Sequence, residues 1–487
     1  MSLELTATQL TAQPRFDLLS REQCEFIHLR SLELLRKVGV RYYHPEAINM
    51  LRKAGTLVTD ENLVRLQPEL VEWALAQAPS RIPLCRRASR EVVVPLEGRV
   101  VSFGTGSDCL TYVDPRTGAR RPFVTADIVD SVRVVDALPE IQFCMSMGLP
   151  TDIGDQKPYQ IQFALMLENT TKPIVFVCDD RRDCENIVAM AAEASGGLAE
   201  LQMNPSLLLY SEPSSPLRHS DTAADKLLYM AENRLPIVYS PAPVQGGTAP
   251  ITLAGALIQA NAEILSGLVI HQLKRPGAPI VYGAGMHHLD MKTSISLYTC
   301  PEFVLARVAV AEMGRFYGMP TWGYAGDANS CVVDEQASAE ATFSIMAALL
   351  AGNNLTHDIG YLESGKTTSP EMIVLCDEII SMLRKFMAGI SLDDEHLAMK
   401  AIEEVGPDGN YIISPHTLQH FRSLWRPTLF SRLSGPTWEK KGNKRTSVLL
   451  RDKTVAIMES HKPEPLPDQV KQNVAQILEK SAVSRLP

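Results

Sequence analysis

Between residues 100 and 388 the chain alternates eight times between a short apolar run and a longer helix-like stretch. The runs are Val101–Gly106, Ile141–Met147, Lys172–Cys178, Pro205–Glu212, Leu235–Gly247, Ala278–Gly285, Met319–Asn329 and Asn353–Ser364. Each ends in a turn rich in Gly, Ser, Asp or His. Eight such alternations predict an α/β protein, a closed (β/α)8 TIM barrel with its helices outside. In that architecture chemistry collects at the C-terminal ends of the strands.

The flanks read differently. Ser20 and Gln23 form a capping-box pair before a helix. Cys24, Ile27, Leu34 and Leu35 then share one face, with the small Ser31 inside the stripe. Helices are expected around 45–54 and 67–77, with β-like pieces at 63–66 and 91–95. In the barrel, Ala339, Phe343, Met346, Ala347 and Leu350 make one apolar stripe. Ile373, Cys376, Ile380, Leu383 and Met387 make another, in a helix opened by Pro370. Further helices are expected over 391–425 and 468–481. The division is therefore 1–98, a mainly helical N-terminal extension; 99–390, the barrel; and 391–487, a C-terminal helical extension.

The chain has 487 residues, and a barrel of this type takes about 250, which leaves room for both extensions. Net charge is −9 and no broad basic stripe is visible, which argues against a nucleic-acid partner. Nine cysteines include no CxxC pair, and several sit in apolar runs as small buried hydrophobes. The start lacks the basic and apolar regions of a secretory signal, so a reducing cytoplasm is the expected setting. The apolar stretch 249–273 is interrupted by Gln259, Asn261, Glu263, Ser266 and His271. It reads as a barrel helix rather than a membrane span.

The expected strand ends carry a concentrated polar set: Gly104–Asp108, Ser211–Pro216, Ser240–Thr248, Gly326–Ser330 and His357–Gly365. His357 could orient a carbonyl when neutral or hold a carboxylate when protonated. It could equally be a core histidine with a satisfied hydrogen bond. Glu212 could touch a ligand or order its own loop. Tyr361, Tyr324, Trp322 and Tyr239 lie at or near strand ends, and rings beside carboxylates suit a quaternary ammonium. Barrel cores also contain such rings. Gln245-Gly246-Gly247-Thr248 runs toward a helix, with Pro250 near its first turn. It reads as a tight turn or, less favourably, an anion site. His287 and His288 are adjacent and poorly spaced for one metal, so no metal site is expected. Nucleophile elbow, Schiff-base lysine and phosphate-binding fingerprints are all missing, so no catalytic residue is assigned. Such a barrel points to chemistry carried by a cofactor or partner.

These residues together resemble the trimethylamine methyltransferase family, whose members pass a methyl group from a methylated amine to the cobalt of a small corrinoid protein. The resemblance runs nearly the whole chain. It includes His28-Leu29-Arg30, Val38-Gly39-Val40, Gly104–Asp108, Asp114–Gly118, Asp136–Pro139, Ser211-Glu212-Pro213, Gly326–Asn329, Asp334-Glu335-Gln336 and Tyr361–Gly365. Members that use trimethylamine carry pyrrolysine in the barrel, and no such residue stands here. The resemblance is thus to the subgroup acting on glycine betaine, proline betaine or carnitine. It implies a methyltransferase that moves a methyl from a quaternary amine to Co(I), with cobalamin on a partner protein and a homo-oligomeric state. It also implies roles. His357 would bind the substrate carboxylate; Tyr361, Phe103 and Glu212 would surround the ammonium. Asp327 and Asn329 would shape the pocket or meet the corrinoid, with Gly104 and Gln245 also in the substrate site. A cobalamin-independent barrel lyase or hydrolase and a non-catalytic betaine-binding protein are the alternatives.

Overall fold

In a computed structural model, which describes residues 10–154 and 157–483, the eight runs stand side by side in chain order. We number them β1 (Ser102–Phe103), β2 (the stretch 141–147), β3 (Ile174–Phe176), β4 (Leu207–Ser211), β5 (Ile237–Tyr239), β6 (Ile280–Gly283), β7 (Thr321–Tyr324) and β8 (Leu355–His357). Neighbours from β3 to β8 pair in parallel. β8 then returns to β1, with Leu355 opposite Ser102 and Thr356 opposite Phe103. β2 makes no regular ladder. Single parallel bridges join it to the β1 run (Phe143 to Gly104) and to β3 (Cys144 to Ile174). The cause is a doubled register: the amides of Gln142 and Phe143 both converge on the Phe103 carbonyl, at 2.7 and 3.4 Å. These bridges complete the cylinder, and the (β/α)8 barrel expected from sequence is the fold the chain adopts.

Eight helices follow the eight strands: Thr125–Ala137, Pro158–Asn169, Arg181–Ser195, Asp221–Glu232, Leu253–Lys274, Pro301–Phe316, Glu335–Ala351 and Pro370–Met387. Asp180, Ser220, Asp334 and Ser369 cap four of them through side-chain oxygens. The expected helix start near Gly246 is corrected. Val244–Gln245 is a short strand beside His287–Asp290, the helix starts after Thr252, whose side chain makes no capping bond, and Pro250 precedes it. The amides of Gly246, Gly247 and Thr248 close turns onto Ala249 and Val244 carbonyls, so they form no anion cradle.

The N-terminal extension lies on the Leu253–Lys274 helix. Its helices Arg21–Lys37, Pro45–Lys53 and Pro68–Gln77 pack there, with a small antiparallel sheet of Val40–Tyr42, Leu63–Arg65 and Leu57–Thr59. The Ser20/Gln23 capping box forms as expected. Ser31 donates to the Ile258 carbonyl and accepts from Asn261, at 3.1 and 3.0 Å. A small polar residue in the stripe therefore lets two helices meet closely. Among the described residues Leu253–Lys274 is the one helix long and apolar enough to cross a membrane, but its apolar window is 78% buried within the protein. Its hydrophobicity serves two contacts, barrel on one side and extension on the other.

The C-terminal extension has two parts. Thr446–Ser460 packs on the first and last barrel helices, and Asp468–Val483 on the second and third. The helices between the barrel and Thr446 are short: Asp394–Leu397, Met399–Val405, Pro415–His420 and Gly435–Lys440, none with a buried residue.

Gly104 takes part in barrel closure directly, since a Cβ there would run into the Phe143 ring. Gly104→Ala should lower unfolding free energy by about 1–3 kcal/mol, an overpacking cost. Urea denaturation would measure it, and adding Phe143→Leu should recover most of the loss.

Candidate functional site

Successive residues of a strand point to opposite faces, so alternate positions enter the barrel. Tyr210 of β4 meets Trp322 of β7 at 5.2 Å and His357 of β8 at 5.9 Å, ring centre to ring centre. Residues on strands so far apart can touch only across the interior. Trp322 stacks on His357 at 4.2 Å, Tyr324 tilts against it at 4.3 Å, and Phe143 reaches Trp322 from β2 at 6.4 Å. His357 is thus walled by three aromatic rings.

Charge enters from the strand ends. Asp358 Oδ1 stands 2.7 Å from His357 Nδ1, but out of line with a ring N–H, so neither ring nitrogen has a hydrogen-bond partner. Trp322 Nε1 and Asp358 Oδ2 are also buried without partners. Glu212 follows β4 and accepts the Tyr210 hydroxyl proton. Asp108 follows the β1 run, with hydrogen bonds from Ser107 and Tyr159. Among the described residues no Lys or Arg lies within ion-pair distance of Glu212, Asp108 or Asp358.

Glu212 and Asp108 are reachable by solvent yet crowded by protein, as expected for the wall of a deep cup open at one end. Burial raises the Glu212 carboxyl above the usual range against the pull of Tyr210, and the Asp108 charge adds to the rise. Burial pushes Asp108 up to about 6 against its hydrogen bond from Ser107, with Asp179 contributing. Burial, then the Asp358 and Tyr324 charges, raises the Tyr298 phenol. Asp108 and Asp358 hold left-handed backbone, φ 66° and 78°. Such strain gathers at functional sites, and Asp tolerates it better than most residues.

The sequence candidates divide. His357 and Glu212 are in the cup. Tyr361 is buried beside it, with its hydroxyl on the Ser107 carbonyl and its ring where a Cβ of Gly106 would lie. Asp327 is held by Arg307 through both oxygens, at 3.1 and 3.0 Å, and Arg307 also donates to the Tyr298 carbonyl at 2.7 Å. Asn329 accepts from the Tyr298 amide and from Ser364. Asp327 and Asn329 therefore fix the loop that carries Tyr298. Gln245 donates to His288 Nδ1 at 3.1 Å and joins two loops.

Two expectations are corrected. Phe103 faces outward, its ring 5.5 Å from the Arg384 guanidinium on the last barrel helix, because Gly104 takes the inward position. Gly104 itself makes room for Phe143. Tyr239 also faces the helices, bonded to His219 at 3.0 Å. Asp108 and Asp358 lie in the polar strand-end stretches read from sequence but carried no assigned role; Tyr210 and Tyr298 were not singled out. Alternation from Glu212 back to Tyr210 could have found one of them. The loop that delivers Tyr298 carries no such signal. Among the described residues no group of three or more His, Cys, Asp or Glu side chains could hold a metal ion.

The Asp108 shift has a testable sign. Its folded pKa near 6 exceeds the ordinary carboxylate value, so between about pH 4 and 6 the folded chain keeps a proton that the unfolded chain releases. Stability therefore falls as pH rises through that window. Asp108→Asn should melt like wild type near pH 4 and at a higher temperature than wild type near pH 8, read by thermal scans across the range.

The chain matches the family described as trimethylamine methyltransferase (MTTB) over residues 2–484. It is 30% identical over 463 residues to the trimethylamine methyltransferase MttB of Desulfitobacterium hafniense, covering 95% of this chain and 93% of that one. It is 29% identical to MttB of Methanosarcina barkeri, covering 96% and 95%. A glycine betaine methyltransferase of Desulfitobacterium hafniense is 29% identical, covering 88% and 89%. The monomethylamine methyltransferase (MtmB) structure from Methanosarcina barkeri superposes with a TM-score of 0.53 at 11% identity, over 96% of this chain and 88% of that one, a likeness of fold. With a family match running almost end to end on a closed (β/α)8 barrel, the chain belongs to the trimethylamine methyltransferase family.

Proposed function

We propose that this protein transfers a methyl group from a small quaternary amine of the glycine betaine type to the Co(I) of a corrinoid carried by a separate protein. One observation carries the reading. Carboxylates without a cationic partner share a cup with aromatic rings, which suits a permanent cation lacking N–H groups. The glycine betaine methyltransferase among the relatives supports the substrate class.

The site has two ends of opposite preference. At the floor, the unpartnered His357 Nε2 and Trp322 Nε1 suit a carboxylate. Asp358 stands beside the Nδ1 side of the ring, which leaves Nε2 as the edge that faces the anion. At the rim, Glu212 and Asp108 suit the onium. A zwitterion lying this way keeps its methyl groups toward the open mouth, where the acceptor arrives.

The chemistry asks little of this chain. The acceptor is a substrate, and its Co(I) supplies the electron pair for the new bond to carbon. The C–N bond breaks with its pair staying on nitrogen, and the leaving group is a neutral tertiary amine. No proton moves, so no general acid or base is needed. His357, Trp322 and the carboxylates bind and orient the donor, and the barrel wall limits water.

Growth of methylcobalamin absorbance from Co(I)alamin, with a panel of quaternary amines, tests the reading. His357→Ala should cost about 10–150-fold in kcat/KM, the worth of one charge-assisted hydrogen bond. Glu212→Gln should raise KM about tenfold for an onium donor, and wild-type KM should rise as pH falls below about 6. A panel in which no onium methylates Co(I) would reject the proposal.

A further inference from the structure

Between Leu383 and Leu429 no residue is buried. This arm is tethered at its ends. Ile390–Ser391 pairs with Thr11–Ala12, and the Glu378 carboxylate accepts the amides of Thr428, Leu429 and Phe430 at 2.9, 3.0 and 3.2 Å. Its helices of four to seven residues are too short to hold without packing. Yet Met399, Ile402, Leu418 and Leu424 are exposed, with Ile412 and Ile413 at 77% and 83% exposure. Scattered exposed apolar residues need no explanation, but this is a concentration on one tethered segment.

Charge is sorted along the same stretch and the loop that follows it. Residues 391–410 hold six acidic side chains and one basic one; residues 420–445 hold seven basic and one acidic. Among the described residues Asp394, Glu403 and Asp408 have no ion-pair partner, and neither do Arg422, Arg426 and Arg432. Arg422 and Arg432 instead lie over the rings of Phe421 and Trp425, at 5.4 and 5.3 Å. Two halves of nearly equal and opposite charge complement themselves once the segment meets its own image through a two-fold axis.

We infer that this arm is the contact between two copies of the chain, arranged isologously. The acidic half of one copy faces the basic half of the other, and Ile412 and Ile413 lie between them. None of the residues invoked here belongs to the cup.

Sedimentation velocity on the full chain at about 10 μM tests this, with charge-swapped variants. The wild type should be at least dimeric, and weaker in about 0.5 M salt. Asp394→Lys with Glu403→Lys, and separately Arg422→Glu with Arg426→Glu, should each raise the dissociation constant about a hundredfold. Mixed one to one, the two variants should associate again, because every reversed contact then meets its complement. A monomeric wild type, an oligomer insensitive to both variants, or a mixture that stays monomeric overturns the inference. A corrinoid or other foreign protein as the arm's occupant would give the first result. Circular dichroism melts matching wild type show that the variants fold, and Ile413→Ser gives a second route to weaker association that reverses no charge.

Discussion

A parallel sheet closes only if its last strand can return to its first, and here the join depends on very little. β8 pairs with β1 over two residues, and β2 is held by the Gly104–Phe143 and Cys144–Ile174 bridges. The missing Cβ at Gly104 is what lets the Phe143 ring enter the interior. Everything at the mouth inherits its position from that closure. Glu212, Asp108 and His357 are remote in sequence and share a cup only because their strands belong to one cylinder.

The cup combines two costs that folding would ordinarily avoid. Unpaired carboxylates stand among crowding protein, and ring nitrogens are left without partners. Neither helps the empty protein. Both are reasonable if the missing partners arrive with a ligand that carries a cation at one end and an anion at the other. The left-handed backbone of Asp108 and Asp358 adds a further strain at the same place. Supporting groups are better satisfied, apart from the Arg307 Nε. Asp327, Arg307, Asn329 and the Tyr298 backbone complete each other's hydrogen bonds, which makes the cup rigid rather than responsive.

Outside the barrel, the two ends of the chain behave differently for a simple reason of area. The N-terminal extension covers the most apolar barrel helix, and polar contacts such as Ser31 with Asn261 set its register. Residues 446–483 likewise find barrel helices to lie on. The arm between Leu383 and Leu429 is tethered at its ends and buries none of its residues, so its apolar side chains remain in water within a single chain.

Much of this was legible in the residues. Eight apolar runs with helical stretches between them determine a barrel, because burial on both faces leaves few other ways to satisfy so many short strands. The Ser20 cap, the Pro370 start and the placing of His357 and Glu212 at strand ends are local, and local chemistry decided them. The inward or outward sense of Phe103 was not legible, since a one-residue change in register reverses every side chain and both faces of a barrel strand are apolar. Nor was the doubling at Gln142 and Phe143, or the loop that carries Tyr298. These depend on which groups meet across the cylinder, a distance in space that spacing along the chain does not encode.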